Sequence, residues 1–165
     1  APTTAGLIGH SRGGGIGVLC AAENVQVHCL VTWAAISTVE RWGAAERPAW
    51  RKTGQISILN ARTGQTLPLY TDVLDDIDRN AAALDIQSAA AKIAIPWLVI
   101  HGRADESVPF AEAQVLIESS FGTARLLEVE GAGHTFGAAH PWRGSTPELD
   151  VAFDATLNWL ATNLT

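Results

Sequence analysis

The stretch Gly6-Leu-Ile-Gly-His-Ser-Arg-Gly-Gly-Gly-Ile-Gly17 constrains the fold of this chain more than any other part of it. The apolar run Thr4 to Gly9 leads into it and reads as a short buried strand. Gly13 to Ala22 reads as a helix despite its glycines. Between the two, Gly9-His-Ser-Arg-Gly13 matches G-x-S-x-G. In a strand-to-helix setting that pattern makes a sharp turn with the serine in a strained backbone conformation. Glycine two residues before and two after removes side chains that would collide there. The turn lifts the Ser11 hydroxyl clear of the sheet. It also aims the backbone N–H of Arg12, at the positive end of the helix, toward an oxyanion. A phosphate-binding loop is the competing reading of glycines between strand and helix. Neither G-x-x-x-x-G-K-[ST] nor G-x-G-x-x-G is present to carry it.

The same alternation continues along the chain. Val27 to Trp33 is apolar and β-branched, a second buried strand. Pro96 to His101 is a third, and Ala124 to Glu130 a fourth. Phe110 to Phe121 has a helical apolar pattern, opened by Pro109 and stopped by Gly122. The last helix opens at Ser145-Thr-Pro-Glu148 as a capping box, with Leu149, Phe153, Leu157, Leu160 and Leu164 as its apolar stripe. Residues from about 34 to 92 break the rhythm with scattered charges, Pro48, Pro68 and the acidic run Asp72 to Asp78. They read as helical excursions and loops inserted into one domain. Strands alternating with helices predict a mostly parallel sheet of about four strands, flanked by helices on both faces.

Composition narrows the partners. Against 17 Asp and Glu stand 11 Lys and Arg, a net charge of −6, which argues against nucleic acid or an anionic membrane surface. No apolar run reaches the length of a membrane span. Cys20 and Cys29 read as buried free thiols, and no Cys/His cluster has the spacing of a zinc site. No metal or other cofactor is expected, and no compartment is specified.

A serine nucleophile needs a base, and the base needs an orienting acid. Asp105, in His101-Gly-Arg-Ala-Asp-Glu-Ser-Val-Pro109, falls in the loop just past the third strand. His134, in Glu130-Gly-Ala-Gly-His-Thr-Phe136, falls in a glycine-flanked loop past the fourth. Ligands and catalytic groups gather at that edge of an open parallel sheet. Alone, Asp105 fits a turn residue or helix cap, and His134 fits a surface histidine. The three together, in the order Ser, Asp, His, predict a catalytic triad.

Those residues resemble the α/β-hydrolase family, within it the dienelactone hydrolase-like and serine-peptidase-like esterases. The matching segments are Gly9-His10-Ser11-Arg12-Gly13-Gly14, His101-Gly102 with Asp105 and Val108-Pro109, and Gly131-Ala132-Gly133-His134. The resemblance spans the chain except the insertion, where the family carries a variable cap. It implies Ser11 as nucleophile, His134 as general base and Asp105 as its partner, with Glu106 a neighbouring alternative acid. It implies a small-molecule ester as substrate, with a peptidase of the same fold, or a non-catalytic subunit, as alternatives. The family places further strands and helices before this serine, so the resemblance implies the C-terminal part of an α/β-hydrolase. The first half is then expected as a separate chain or fragment. It would supply the second oxyanion donor and cover the strand Thr4–Gly9, otherwise an exposed apolar edge.

Other residues carry two readings. His10 is a packed turn residue or lines the substrate site. Arg12 pairs with a nearby acid or meets a substrate carboxylate. His140 is a surface turn residue or pocket lining. Trp142 joins Trp42 and Trp50 as packing or as an aromatic substrate pocket. The Asp72–Asp78 carboxylates read as a solvated helix start rather than a calcium loop.

Overall fold

Twelve elements make up the fold in a computed structural model that describes residues 4–60 and 63–164. They are β1 (Ala5–His10), α1 (Arg12–Glu23), β2 (Val27–Trp33), α2 (Glu46–Thr53), β3 (Gln55–Leu59) and β4 (Thr66–Tyr70). After these come α3 (Asp72–Arg79), α4 (Ile86–Ala90), β5 (Trp97–Gly102), α5 (Ala111–Ser119), β6 (Ala124–Val129) and α6 (Pro147–Asn163). Two compact units result: Ala1–Thr38 with Asp85–Thr165, and Val39–Leu84.

The first unit is built on a four-stranded sheet in the order β1-β2-β5-β6, parallel throughout. Each step moves one place in the same direction. With crossovers of one hand, the connecting helices must then share a face. Accordingly α1 packs on β1 and β2, α5 packs on β5 and β6, and α4 bridges the two helices. The remaining helix, α6, closes the opposite face over Val31, Leu98, Ile100 and Val129 through Leu149 and Ala152. A strand covered on both faces has no polar side to show. That is why β5, Trp-Leu-Val-Ile-His-Gly, is buried at every position.

The last helix departs from its expected form by one residue and by face. Its N-cap is Thr146, whose hydroxyl accepts from the Leu149 N–H, with Pro147 as the first helical residue. Ser145 instead donates its hydroxyl to Asp150. Leu149, Ala152 and Thr156 turn to the sheet, while Phe153 and Leu157 remain 50% and 61% exposed. They flank β1, where the sheet ends, beside Ile8 at 51% exposure. Among the described residues β1 is paired on its β2 side alone. The expectation for the cysteines is corrected at one position: Cys29 is buried, its thiol pushed up by burial, but Cys20 lies on the outer side of α1.

The interruption of the alternation is narrower than the sequence suggests. Ala34 N–H donates to Ile100 O, extending the sheet ladder, and Ala35 and Ile36 are buried. At the far end α4 belongs to the sheet unit, through buried Ile86, Ala89 and Ala90. Within Val39–Leu84, α2 and α3 are joined by ion pairs: Arg51 to Asp75 at 2.5 Å and to Asp78 at 2.6 Å, and Arg47 to Asp78. The acidic helix is therefore not wholly solvated, and Arg47 and Arg51 hold the Asp78 carboxyl below its ordinary range. Between these helices lies an antiparallel hairpin, β3 with β4, where the sequence reads as loop. Pro68 argues against a strand, yet in a two-stranded ribbon a residue with no N–H is tolerated on the outer edge. Trp50 is buried, donates its indole N–H to Leu69 O and meets Trp42 edge-on. No helix among the described residues is long and apolar enough to cross a membrane.

One cap in the sheet unit reports on pH. Asp85 begins α4, accepting from the Ser88 hydroxyl at 2.6 Å and the Ser88 N–H at 3.0 Å. These bonds hold its carboxyl below the ordinary carboxylate range. A depressed folded-state pKa adds stability above the unfolded value, which is lost as pH falls through the folded one. Asp85→Ala should therefore cost about 1 kcal/mol at neutral pH. In urea melts the gap between variant and wild type should close as the medium is acidified below the normal aspartate range.

Candidate active site

The last residue of β1 is His10, and α1 begins at Arg12, so Ser11 must turn the chain alone. Its backbone sits at φ 57°, ψ −124°, a conformation rare for any residue with a side chain. Strain of this kind persists only where the surroundings over-determine it. Here the Ser11 N–H donates to Trp33 O at 2.8 Å, tying the turn to the adjacent strand. The Ser11 carbonyl accepts from the N–H groups of Gly14, Gly15 and Ile36.

The glycines divide into those that the turn requires and those it does not. A Cβ on Gly9 would stand 2.4 Å from Gly13 O, a backbone atom with nowhere to go. On the helix, a Cβ at Gly14 would meet the Ala35 side chain at 2.5 Å. At Gly15 it would meet Ile36 and Ile86, each at 2.7 Å. These glycines let α1 press onto the segment after β2 and onto α4. Gly13 differs: a Cβ there meets nothing within 4 Å. The second glycine of the pentapeptide is thus not a steric requirement, contrary to the sequence reading.

The loops after β5 and β6 are laced to each other by their backbones. Arg103 N–H donates to Val129 O and Ala104 N–H to Ala132 O, each at 3.0 Å. A Cβ on Gly102 would lie 2.2 Å from Ala132 O, so this close approach needs glycine there. Beyond His134, buried Phe136 packs edge-on against Trp33, and its carbonyl accepts from the Thr146 hydroxyl. Thr146 therefore both caps α6 and pins the histidine loop.

This framework brings the three predicted residues together. His134 Nε2 lies 3.0 Å from Ser11 Oγ, and His134 Nδ1 lies 2.8 Å from Asp105 Oδ2. A carboxylate only accepts, so the proton sits on Nδ1 and the Nε2 lone pair faces the serine hydroxyl. The Asp105 side chain is fully buried, and its Oδ1 accepts from the N–H groups of Ser107 and Val108, both at 2.9 Å. Glu106, the alternative acid, is exposed one residue on.

The remaining candidates are spread more widely. His10 is exposed, and its Nε2–H donates to His134 O at 2.9 Å with the two rings 4.8 Å apart. It also lines an apolar groove of about 270 Å³ with Ile8, Trp33, Phe153 and Leu157. The Arg12 side chain is exposed, as is His140. Trp142, on the loop before α6, is 62% exposed and outside the hydrogen-bonded set of Ser11, His134 and Asp105. Two residues quoted in the motif but given no task by the sequence reading prove structural at this edge: Gly102, and the buried His101. The adjacency of both to Asp105 in one short motif was the available signal.

No protein-family model matches the chain, and no curated protein matches it. Solved structures do. The esterase domain of a Rhodothermus marinus protein is 18% identical with a TM-score of 0.58, over 97% of this chain and 59% of that one. A Paleococcus ferrophilus monoacylglycerol lipase is 16% identical with a TM-score of 0.70, over 97% and 69%. Est1E from Butyrivibrio proteoclasticus, with ferulic acid bound, is 20% identical with a TM-score of 0.66, over 98% and 60%. The fold is that of the α/β-hydrolases. This chain spans 59% to 69% of the length of these three α/β-hydrolase-fold structures.

The glycine contacts make a direct test. Gly9→Ala forces a carbon into a backbone oxygen and should cost more than about 3 kcal/mol, or prevent folding. Gly13→Ala should leave stability unchanged or raise it by up to about 1 kcal/mol, since alanine is the better helix former. Urea denaturation of the two variants beside wild type separates the cases.

Proposed function

We propose that this chain is a serine hydrolase that cleaves a carboxylic ester through Ser11, His134 and Asp105. The observation that carries the reading is the single imidazole bridging a strained, partly exposed serine and a buried carboxylate. Its neighbours in fold include an esterase domain and a monoacylglycerol lipase.

In this mechanism Ser11 Oγ attacks the ester carbonyl carbon while His134 Nε2 takes the hydroxyl proton. Negative charge gathers on the carbonyl oxygen, toward the start of α1, where the Arg12 N–H is the assigned donor. The tetrahedral intermediate collapses as His134 returns the proton to the leaving alcohol, leaving an acyl-serine. Water, deprotonated by His134, then attacks that ester, and Ser11 leaves with the proton. Asp105 holds the Nδ1–H tautomer and stabilises the imidazolium in both halves of the cycle. A second oxyanion donor is typically worth about 10²–10³ in rate. We assign that donor, and the cover for the open edge of β1, to a further polypeptide segment. The one-sided pairing of β1 and the exposed Ile8, Phe153 and Leu157 support this assignment.

A fluorophosphonate probe should label wild type at Ser11 and leave S11A unlabelled. D105N should lower kcat toward p-nitrophenyl esters by up to about 10⁴-fold, because the amide favours the wrong imidazole tautomer. Hydrolysis of aminoacyl amides in preference to esters would instead make the chain a peptidase. If neither probe nor substrate reacts even with the further segment supplied, the chain is a non-catalytic module.

A further inference from the structure

His101 occupies the penultimate position of β5, and its imidazole is fully buried. Its Nε2 lies 2.8 Å from Val108 O and 3.5 Å from Asp105 Oδ2. A carbonyl has no hydrogen to give, so the hydrogen of that bond sits on Nε2. The other ring nitrogen, Nδ1, is then a buried acceptor, and it has no hydrogen-bond partner among the described residues. Phe110 meets the ring edge-on. A leucine or phenylalanine would remove the orphaned Nδ1, but it would leave the Val108 carbonyl without the donor that His101 supplies. The imidazole is therefore held there for what its one N–H does.

That N–H sits at the start of a chain of bonds. Val108 accepts from His101 through its carbonyl and donates its own N–H to Asp105 Oδ1. Ser107 N–H makes a second bond to the same oxygen. With Oδ1 held, the plane of the carboxylate is fixed, and Oδ2 is left for His134. The His101 N–H also stands beside Oδ2, on the carboxylate's buried side.

We propose that His101 is a positioning residue for the Asp105–His134 pair, setting the rotation of the Asp105 carboxylate through the carbonyl of Val108. The proposal rests on the triad reading above, since positioning matters to turnover only if that pair is catalytic. His101 touches no reacting atom. Its effect is on how often the carboxylate faces the imidazole.

The test follows the His134 Nδ1 proton directly, in the far-downfield proton spectrum of protein carrying isotope-labelled histidine. Its resonance is assigned by its loss in D105N. Wild type and H101Q, whose amide reaches the same carbonyl, should both show it. H101L should lose or broaden it. Toward a p-nitrophenyl ester, H101L should lower kcat by about 10–100-fold with little change in KM, and H101Q should recover most of the loss. If H101L does not fold by circular dichroism, H101N replaces it, being too short to reach Val108, and should behave the same way. The proposal is overturned if H101L or H101N keeps the resonance and the wild-type kcat. It is equally overturned if H101Q is as damaged as H101L, or if wild type lacks the resonance. Wild type that shows the resonance, yet takes no fluorophosphonate and cleaves no ester even with the further segment supplied, leaves the positioning intact and removes the hydrolase reading instead.

Discussion

The bond from the Ser11 N–H to Trp33 O fixes the geometry on which the rest of the site depends. A serine at positive φ relaxes unless its peptide is held on both sides. The strand beside it holds the N–H, and the first turn of α1 with Ile36 holds the carbonyl. Those bonds form only if α1 lies close to the segment after β2, and it does so because Gly14 and Gly15 present no side chain there. Ile86, anchored by the capped helix α4, closes the far side of that contact. The strained turn is thus the meeting point of two neighbouring strands and two helices, and it cannot be moved without moving them.

The acid and the base reach the serine by a different device. Their loops leave adjacent strands of one parallel ladder, and the ladder continues into the loops through Arg103 and Ala104. Asp105 and His134 are therefore fixed relative to each other before either meets Ser11. His10 adds a further tie, from the strand that carries the serine to the carbonyl of His134.

Much of this was legible in the residues. The four parallel strands, the helices between them and the convergence of Ser11, Asp105 and His134 followed from apolar runs, glycine placement and the loops past successive strands. What was not legible depended on tertiary neighbours. Gly13 looked as necessary as Gly9, because a motif does not say which residue faces a backbone oxygen and which faces open space. Phe153 and Leu157 fit the apolar stripe of α6, but the sheet face beneath them stops at β1. The hairpin of β3 and β4 was hidden by Pro68, whose cost depends on which edge of the ribbon it occupies. His101 was visible only as part of a motif, since its partner is a main-chain carbonyl that no sequence displays.

The bonds that frame the site run between peptide groups: Ser11 to Trp33, Ala34 to Ile100, Arg103 to Val129 and Ala104 to Ala132. A peptide group is the same whatever side chain it carries. Most positions of such a frame can change identity over generations while the catalytic edge keeps its dimensions, provided size and burial are respected. Only the few residues that fill a fixed role, or must carry no side chain, resist that drift. A chain built this way shares its backbone course with structures to which it is 16% to 20% identical.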